Sequence, residues 1–360
     1  GDLSGFSMPR VTLKLSGEAA CRIRYYAELE FGDPGWGIWT PVHTLVQAHP
    51  WPFVNQGWQY DVLREGWIEY ALSDLLAFRA GKIKTPTTRQ MMVAPELQQF
   101  VDVSMASSIT GSLMPGYTDR NRDYGLLIHG LFGCNNEWQY MVAVTNGDGG
   151  DTTRNVLNPL SSDNLAYSAR LNWAFQQPIG YEEGALRQRT CGWYGELGAW
   201  VSYYADRRDR PHTVVRDAIR YGLDVALGYG GLSLSGAFTL GEDDDVGGLG
   251  SSVEYAAWLA QLGYQFPGTA WEIAARASSY DADPDAPGLS PFGDGAVTEY
   301  AFAINYYLNG HGNKLQVDVS FIGGDDPGSQ LIWDPLPGYA NRMSGEEDAI
   351  LLRFQWQLSL

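Results

Sequence analysis

The chain has 360 residues and a formal net charge of −18, with only 18% charged residues but 43 Gly, 21 Tyr and 13 Trp. So acidic a balance excludes a nucleic-acid partner, whose phosphates need a basic footprint. No window approaches the roughly 18 consecutive apolar residues of a membrane helix, whereas a membrane-crossing strand needs only about 9–11 residues and escapes that test.

The chain opens Gly-Asp-Leu-Ser, without a basic stretch followed by an apolar one, and reads as a mature or trimmed chain whose export signal, if any, is not shown. From about Val11 onward, short segments alternate apolar and polar residues with a period of two, the pattern of strands with two unlike faces. Leu171 and Trp173 oppose Arg170 and Asn172; Tyr221, Leu223 and Val225 oppose Arg220 and Asp224. Further along, Trp271 and Ile273 oppose Glu272 and Arg276, and Leu315, Val317 and Val319 oppose Gln316 and Asp318. The last segment sets Ile350, Leu352, Phe354, Trp356 and Leu358 against Arg353, Gln355 and Gln357.

A soluble sandwich alternates too, so three further features matter. Aromatic residues recur near segment ends (Tyr255, Tyr264, Phe266, Trp271, Tyr280, Tyr300, Tyr306), as two interfacial girdles require. The apolar faces carry no charge while the opposite faces carry Arg, Asp and Glu. Connections alternate in length: short at 72–75, 133–136, 229–231, 266–269 and 309–313, long at 32–57, 85–121, 147–163, 241–252, 281–295 and 323–345. One longer connection, 176–190, falls on the short side. Acidic runs such as Glu242–Asp245 and Glu346–Asp348 sit in the long connections and read as solvated loops.

These features predict an all-β, transmembrane antiparallel β-barrel filling residues 1–360 as one domain, with long extracellular loops and short periplasmic turns. About fifteen strands are countable. Single-chain barrels have an even number, so 16 are expected, with a short first strand inside residues 1–10, and 18 are allowed. The one helical candidate is 95–107.

Residues 64–150 go beyond composition. Glu65–Tyr70 forms an acidic-aromatic strand and Gly81–Pro86 a Gly-Lys-basic-Pro strand end; after a long insertion come Arg122–Gly125 and a strand ending in Asn146–Gly149. Tyr167–Phe175 and Asn305–Phe321 extend the match. In order and spacing these pieces resemble the phosphate-selective porin (O and P type) family. The resemblance implies a homotrimer of 16-stranded barrels in the outer membrane of a Gram-negative bacterium, with lipid and lipopolysaccharide as neighbours. It also implies that 85–121 is the third long loop, folded into the pore as a constriction. Met91, Met92, Val93, Phe100, Val101, Val103 and Met105 make that loop too apolar for a free surface loop. The C-terminal Trp356-Gln-Leu-Ser-Leu360 departs from the aromatic terminus that barrel assembly usually reads.

The candidate pore-lining cations are Arg79, Arg170, Arg276 and Arg353 on the polar strand faces, joined by Lys14 and Arg220. Lys82, Lys84, Arg89, Arg120 and Arg122 flank the loop. A ring of such cations favours small anions. Glu65, Glu69, Asp224, Glu254, Glu272, Glu299 and Asp318 oppose it, and cations paired to these carboxylates select little. The expected function is passive diffusion of small hydrophilic solutes and ions, with an anion preference left open.

No enzyme is expected, because the carboxylates lie in loops without an apolar wall to tune their acidity. No cofactor is expected either. The His residues are scattered, and Asn146–Asp151 lacks the ligand run of a calcium loop, although the acidic loops leave a Ca2+ role open. Of the three cysteines, Cys134 and Cys191 are the expected pair if a disulfide forms. The alternatives are a soluble all-β carbohydrate-binding or hydrolytic protein, or a plugged structural barrel.

Overall fold

A computed structural model describes residues 11–31, 63–112, 121–147, 165–176, 180–185, 192–210, 213–244, 251–284, 295–324 and 348–359. Among them are fifteen strands in one sheet, each hydrogen-bonded to its neighbours in chain order. They are β1 (Thr12–Ala20), β2 (Ile23–Glu30), β3 (Leu63–Ser73), β4 (Leu76–Lys84) and β5 (Arg122–Phe132). β6 (Trp138–Thr145), β7 (Ala166–Phe175), β8 (Tyr194–Arg210), β9 (Thr213–Tyr229) and β10 (Leu232–Asp244) follow. The last five are β11 (Val253–Gln265), β12 (Trp271–Pro284), β13 (Gly295–Asn309), β14 (Asn313–Gly324) and β15 (Asp348–Leu358). Every pairing is antiparallel. The expected extra strand within residues 1–10 lies outside the described residues.

The alternation in the sequence becomes a two-faced sheet because successive side chains of a strand point to opposite sides. Along β7, Ala166, Ser168, Arg170, Asn172 and Ala174 are buried while Tyr167, Leu171 and Trp173 are exposed. The polar face is therefore the inner one and the apolar face the outer one, the reverse of a water-soluble sheet. Ile68, Leu126, Leu223, Leu352 and Phe354 are each more than three-fifths exposed on that outer face, a surface that water disfavours and lipid accepts. No described helix is long and apolar enough to cross a membrane.

Short connections close tightly at one end of the sheet. The β9–β10 turn is Gly230-Gly231 with φ of 52° and 104°, a left-handed pair that glycine adopts without strain. Cys21 and Cys134, at this same end, are exposed free thiols; Cys191, the expected partner of Cys134, lies outside the described residues.

Three expectations need correction. Glu242, Asp243 and Asp244 belong to β10 rather than to a solvated loop, and Asp243 is buried against Arg220. Tyr255 and Tyr280 are 4% and 1% exposed and stand on the inner face, not in an outer girdle; Tyr255 accepts a hydrogen bond from Arg220 Nε at 2.6 Å, which a lipid-facing ring would forgo. The segment 95–107 is not one helix. It holds a 3-10 turn (Pro95–Leu97), and helix begins only with α2 (Met105–Ser112), preceded in the loop by α1 (Arg89–Met92). Residues 98–104 form bends without regular structure, and their backbone groups bond to side chains of the wall, of Glu183 and of the loop itself.

Candidate functional site: the inner wall and its inserted loop

The segment between β4 and β5 is clasped at its base, where Thr85 N donates to Asn121 O at 2.9 Å and Asn121 Nδ2 donates to Thr85 O at 2.7 Å. Lys84 Nζ donates to the Met92 and Val93 carbonyls at 2.9 and 3.3 Å, turning the chain inward. An irregular segment leaves backbone groups without partners, and a buried one must find them elsewhere. Here the wall supplies them. Arg89 N donates to Asp224 at 3.0 Å and Arg170 to Thr87 O at 2.7 Å. Lys314 and Asn305 donate to the Gln98 and Gln99 carbonyls at 2.5 and 2.8 Å. Val101 N and Met105 N donate to Asp318 and Glu299, each at 2.9 Å, and Arg276 donates to Asp102 O at 2.9 Å. Polar side chains of β7, β9 and β12–β14 thus take the loop's main chain as their ligand.

Apolar contacts fix its depth. Phe100 is fully buried among Ala274, Ala301 and Ala303, with the Arg276 guanidinium 4.3 Å from its ring centre. Met105, Ala106 and Ile109 pack with Tyr204, Tyr255, Tyr280 and Val297.

The predicted cations are largely paired. Arg170 binds Asp224 through two contacts of 2.7 and 2.6 Å, and Arg276 binds Glu299 at 2.8 Å. Arg353 binds Asp318 at 2.7 Å. Arg122 reaches Glu65 at 3.3 Å, and Glu65 also accepts from Trp67 Nε1 at 3.0 Å. Arg89 lies 3.5 Å from Glu196 and donates to the Gly180 and Glu182 carbonyls. Lys82 is buried with its Nζ on Leu63 O at 2.7 Å, and so is not presented to an open lumen. Arg120 lies outside the described residues. Glu254 shares the exposed parity of Trp258 and Leu262 on β11, and is not on the inner wall as expected. A continuous ladder of bare cations is therefore not what the inner face presents; most of it is neutralised pair by pair.

One place differs. Glu69 takes Arg24 at 2.6 Å, Arg79 at 2.7 Å and His129 Nε2 at 2.8 Å. Two guanidiniums share one carboxylate, which leaves the cluster net positive. Arg24 remains 54% exposed and Arg79 22%, the latter lying 3.8 Å over the Trp67 ring. Their neighbours on β2–β5, among them Glu28, Arg64, Lys82 and Arg122, are buried, so Arg24 and Arg79 are the arginines of the described ion pairs that stay most open. Sequence reasoning named Arg79 and Glu69 but missed Arg24. The signal was the parity of Arg24, Tyr26 and Glu28 against Tyr25, Ala27 and Leu29.

Among the described residues no group of three or more His, Cys, Asp or Glu is placed to hold a metal ion. An antiparallel sheet with an apolar outside, a polar inside and a loop laid along that inside defines the outer-membrane porin class. The family model for phosphate-selective porin O and P matches residues 1–355, and the chain belongs to that family. It is accordingly a porin of the Gram-negative outer membrane, a channel for passive diffusion of small solutes rather than an enzyme.

Solved structures share the fold at low identity. An anion-selective porin from Comamonas acidovorans is 11% identical, covering 90% of this chain and 81% of that one, with a TM-score of 0.53. OmpT, an outer membrane protein of Vibrio cholerae, is 9% identical over 95% of this chain and 86% of its own, also at 0.53. A trimer form of OmpT is 10% identical over 88% and 80%, at 0.51. No curated protein matches the chain.

Proposed function

We propose that residues 1–360 form one closed barrel of 16 strands, assembled as a homotrimer, in which 85–121 is the constriction loop and small anions pass in preference to cations. The observation that carries closure is Glu96. Lys14 of β1 donates to its carboxylate and Gln357 of β15 donates to its carbonyl at 3.0 Å, so the two edge strands of the sheet reach one residue of the inner loop. A strand from residues 1–10 would complete the even count and join those edges. Fold-level likeness to a trimer supports the assembly, and the apolar outer face supports lipid as its surroundings, with lipopolysaccharide beside the long loops. For ion preference the support is the Arg24–Glu69–Arg79 cluster, in which two guanidiniums share one carboxylate and so lower the barrier for anions in a narrow, partly dehydrated passage.

Burial of so much of the inner face favours one other reading, a barrel plugged by its own loop. Proteoliposome swelling separates the two. A porin admits small sugars and anions with a sharp size limit, whereas a plugged barrel leaves the vesicles as tight as protein-free controls.

A further inference from the structure

The connection after β7 is the one long segment at the short-connection end, and residues 180–185 turn into the lumen rather than away from it. Glu183 sits at its centre. Its N–H donates to Leu97 O at 3.0 Å, and His311 Nε2 lies 3.0 Å from its carbonyl. Its carboxylate accepts from Gln99 N at 2.9 Å, Gln90 Nε2 at 3.0 Å and Gln261 Nε2 at 3.0 Å. Gln90 in turn accepts from Ser104 N and Ser104 Oγ at 3.0 and 2.7 Å. One side chain therefore ties together the descending limb of the inner loop, its lowest point and, through Gln90, its ascending limb. Its neighbours complete the seat. Tyr181 Oη accepts from Asn172 Nδ2 at 3.0 Å, and Gly184 holds φ +83° with Glu272 beside it.

We propose that residues 180–185 are a strut, entering the lumen opposite the constriction loop, and that Glu183 is the positioning residue that sets the depth of that loop and so the cross-section of the pore. The reading rests on the porin assignment only for its effect on conductance; the mechanical claim stands on the hydrogen bonds. All three donors at the carboxylate are N–H groups, so only an acceptor satisfies them. An amide at 183 would turn its own NH2 against at least one of them, while a shorter carboxylate keeps the chemistry.

The test is amide hydrogen exchange of the detergent-folded protein, together with single-channel recording, for wild type and Glu183→Ala, Glu183→Gln and Glu183→Asp. Loss of a charge-assisted buried hydrogen bond shifts an opening equilibrium by roughly tenfold or more. Exchange at Gln99 in Glu183→Ala should rise by about that factor. Met105 N–H, held by Glu299, should stay at its wild-type rate. Open-channel current should become noisier and larger, Glu183→Gln should behave similarly, and Glu183→Asp should recover part of the wild-type behaviour. Should Glu183→Ala fail to fold, Glu183→Gln carries the same test. Unchanged exchange at Gln99 in a folded Ala or Gln variant overturns the strut. Faster exchange at Gln99 in a protein that never conducts upholds the strut and removes the porin reading instead.

Discussion

Arg170 on β7 and Asp224 on β9 meet over Gly198 of the strand between them, through contacts of 2.7 and 2.6 Å with neither side chain more than 2% exposed. A Cβ built at Gly198 collides with both groups. The pair also holds the loop, since Asp224 accepts from Arg89 N and Arg170 donates to Thr87 O. A missing side chain on one strand is thus what lets the wall grip the loop.

Gly198→Ala should separate that pair and leave two buried charges poorly matched. Breaking such a pair costs about 3–5 kcal/mol. The midpoint of heat-induced unfolding, followed by gel mobility, should fall clearly below wild type. An unchanged midpoint would mean the ion pair tolerates a methyl group and the Gly198 argument is wrong.

Phe100→Ala should free the part of the loop around residues 98–104. Emptying the site among Ala274, Ala301 and Ala303 costs about 3–5 kcal/mol if the surroundings do not collapse. The barrel wall does not depend on this ring, so folding should persist while single-channel conductance rises and the loop becomes sensitive to protease. A conductance equal to wild type would place the narrowest passage elsewhere.

Replacing Arg24 and Arg79 together by Ala should remove the net positive cluster around Glu69. The anion-to-cation permeability ratio should drop by about tenfold at low salt, and by much less at high salt where screening takes over. The same double change should leave the heat-modifiable fold in place. Retention of the anion preference would transfer selectivity to residues outside the cluster.

Glu96 gives a pH dependence with a definite sign. Burial pushes its carboxyl up, but the Lys14 ammonium pulls it down further, leaving it below its ordinary value of 4.5. A carboxyl lowered on folding contributes stability above its unfolded value and loses it as pH falls through the folded one. Loop attachment at Glu96 should therefore hold from neutral pH down to the ordinary carboxylate range and weaken only below it. Current noise recorded against pH should rise on the acid side in wild type, and Glu96→Gln should abolish that step. A transition near neutral pH would assign it to another group.

Much of the fold is legible in the sequence because a two-faced strand writes its faces as alternate residues. Leu352, Phe354 and Trp356 against Arg353, Gln355 and Gln357 need no structure to sort. Tyr255 and Tyr280 defeat the same rule, since tyrosine serves either face and its hydroxyl finds Arg220 inside. Nothing local tells that Gln99 lies beside Glu272, 173 residues away, or that Arg276 chooses Asp102 O. Pairing of the cations was equally hidden. Arg353 and Asp318 face one another only because β14 and β15 share a register that the intervening connection does not reveal. The role of Glu183 is not legible although its connection stands out by length, because a lone acid in a turn carries no sign of what it will hold.

Planar-bilayer recording of the folded protein tests the central claim most directly. A trimeric porin predicts stable conductance in three coupled equal steps, with a reversal potential displaced towards the anion potential in a salt gradient. A properly folded, heat-modifiable protein that adds no conductance would contradict it and leave a barrel closed by its own loop.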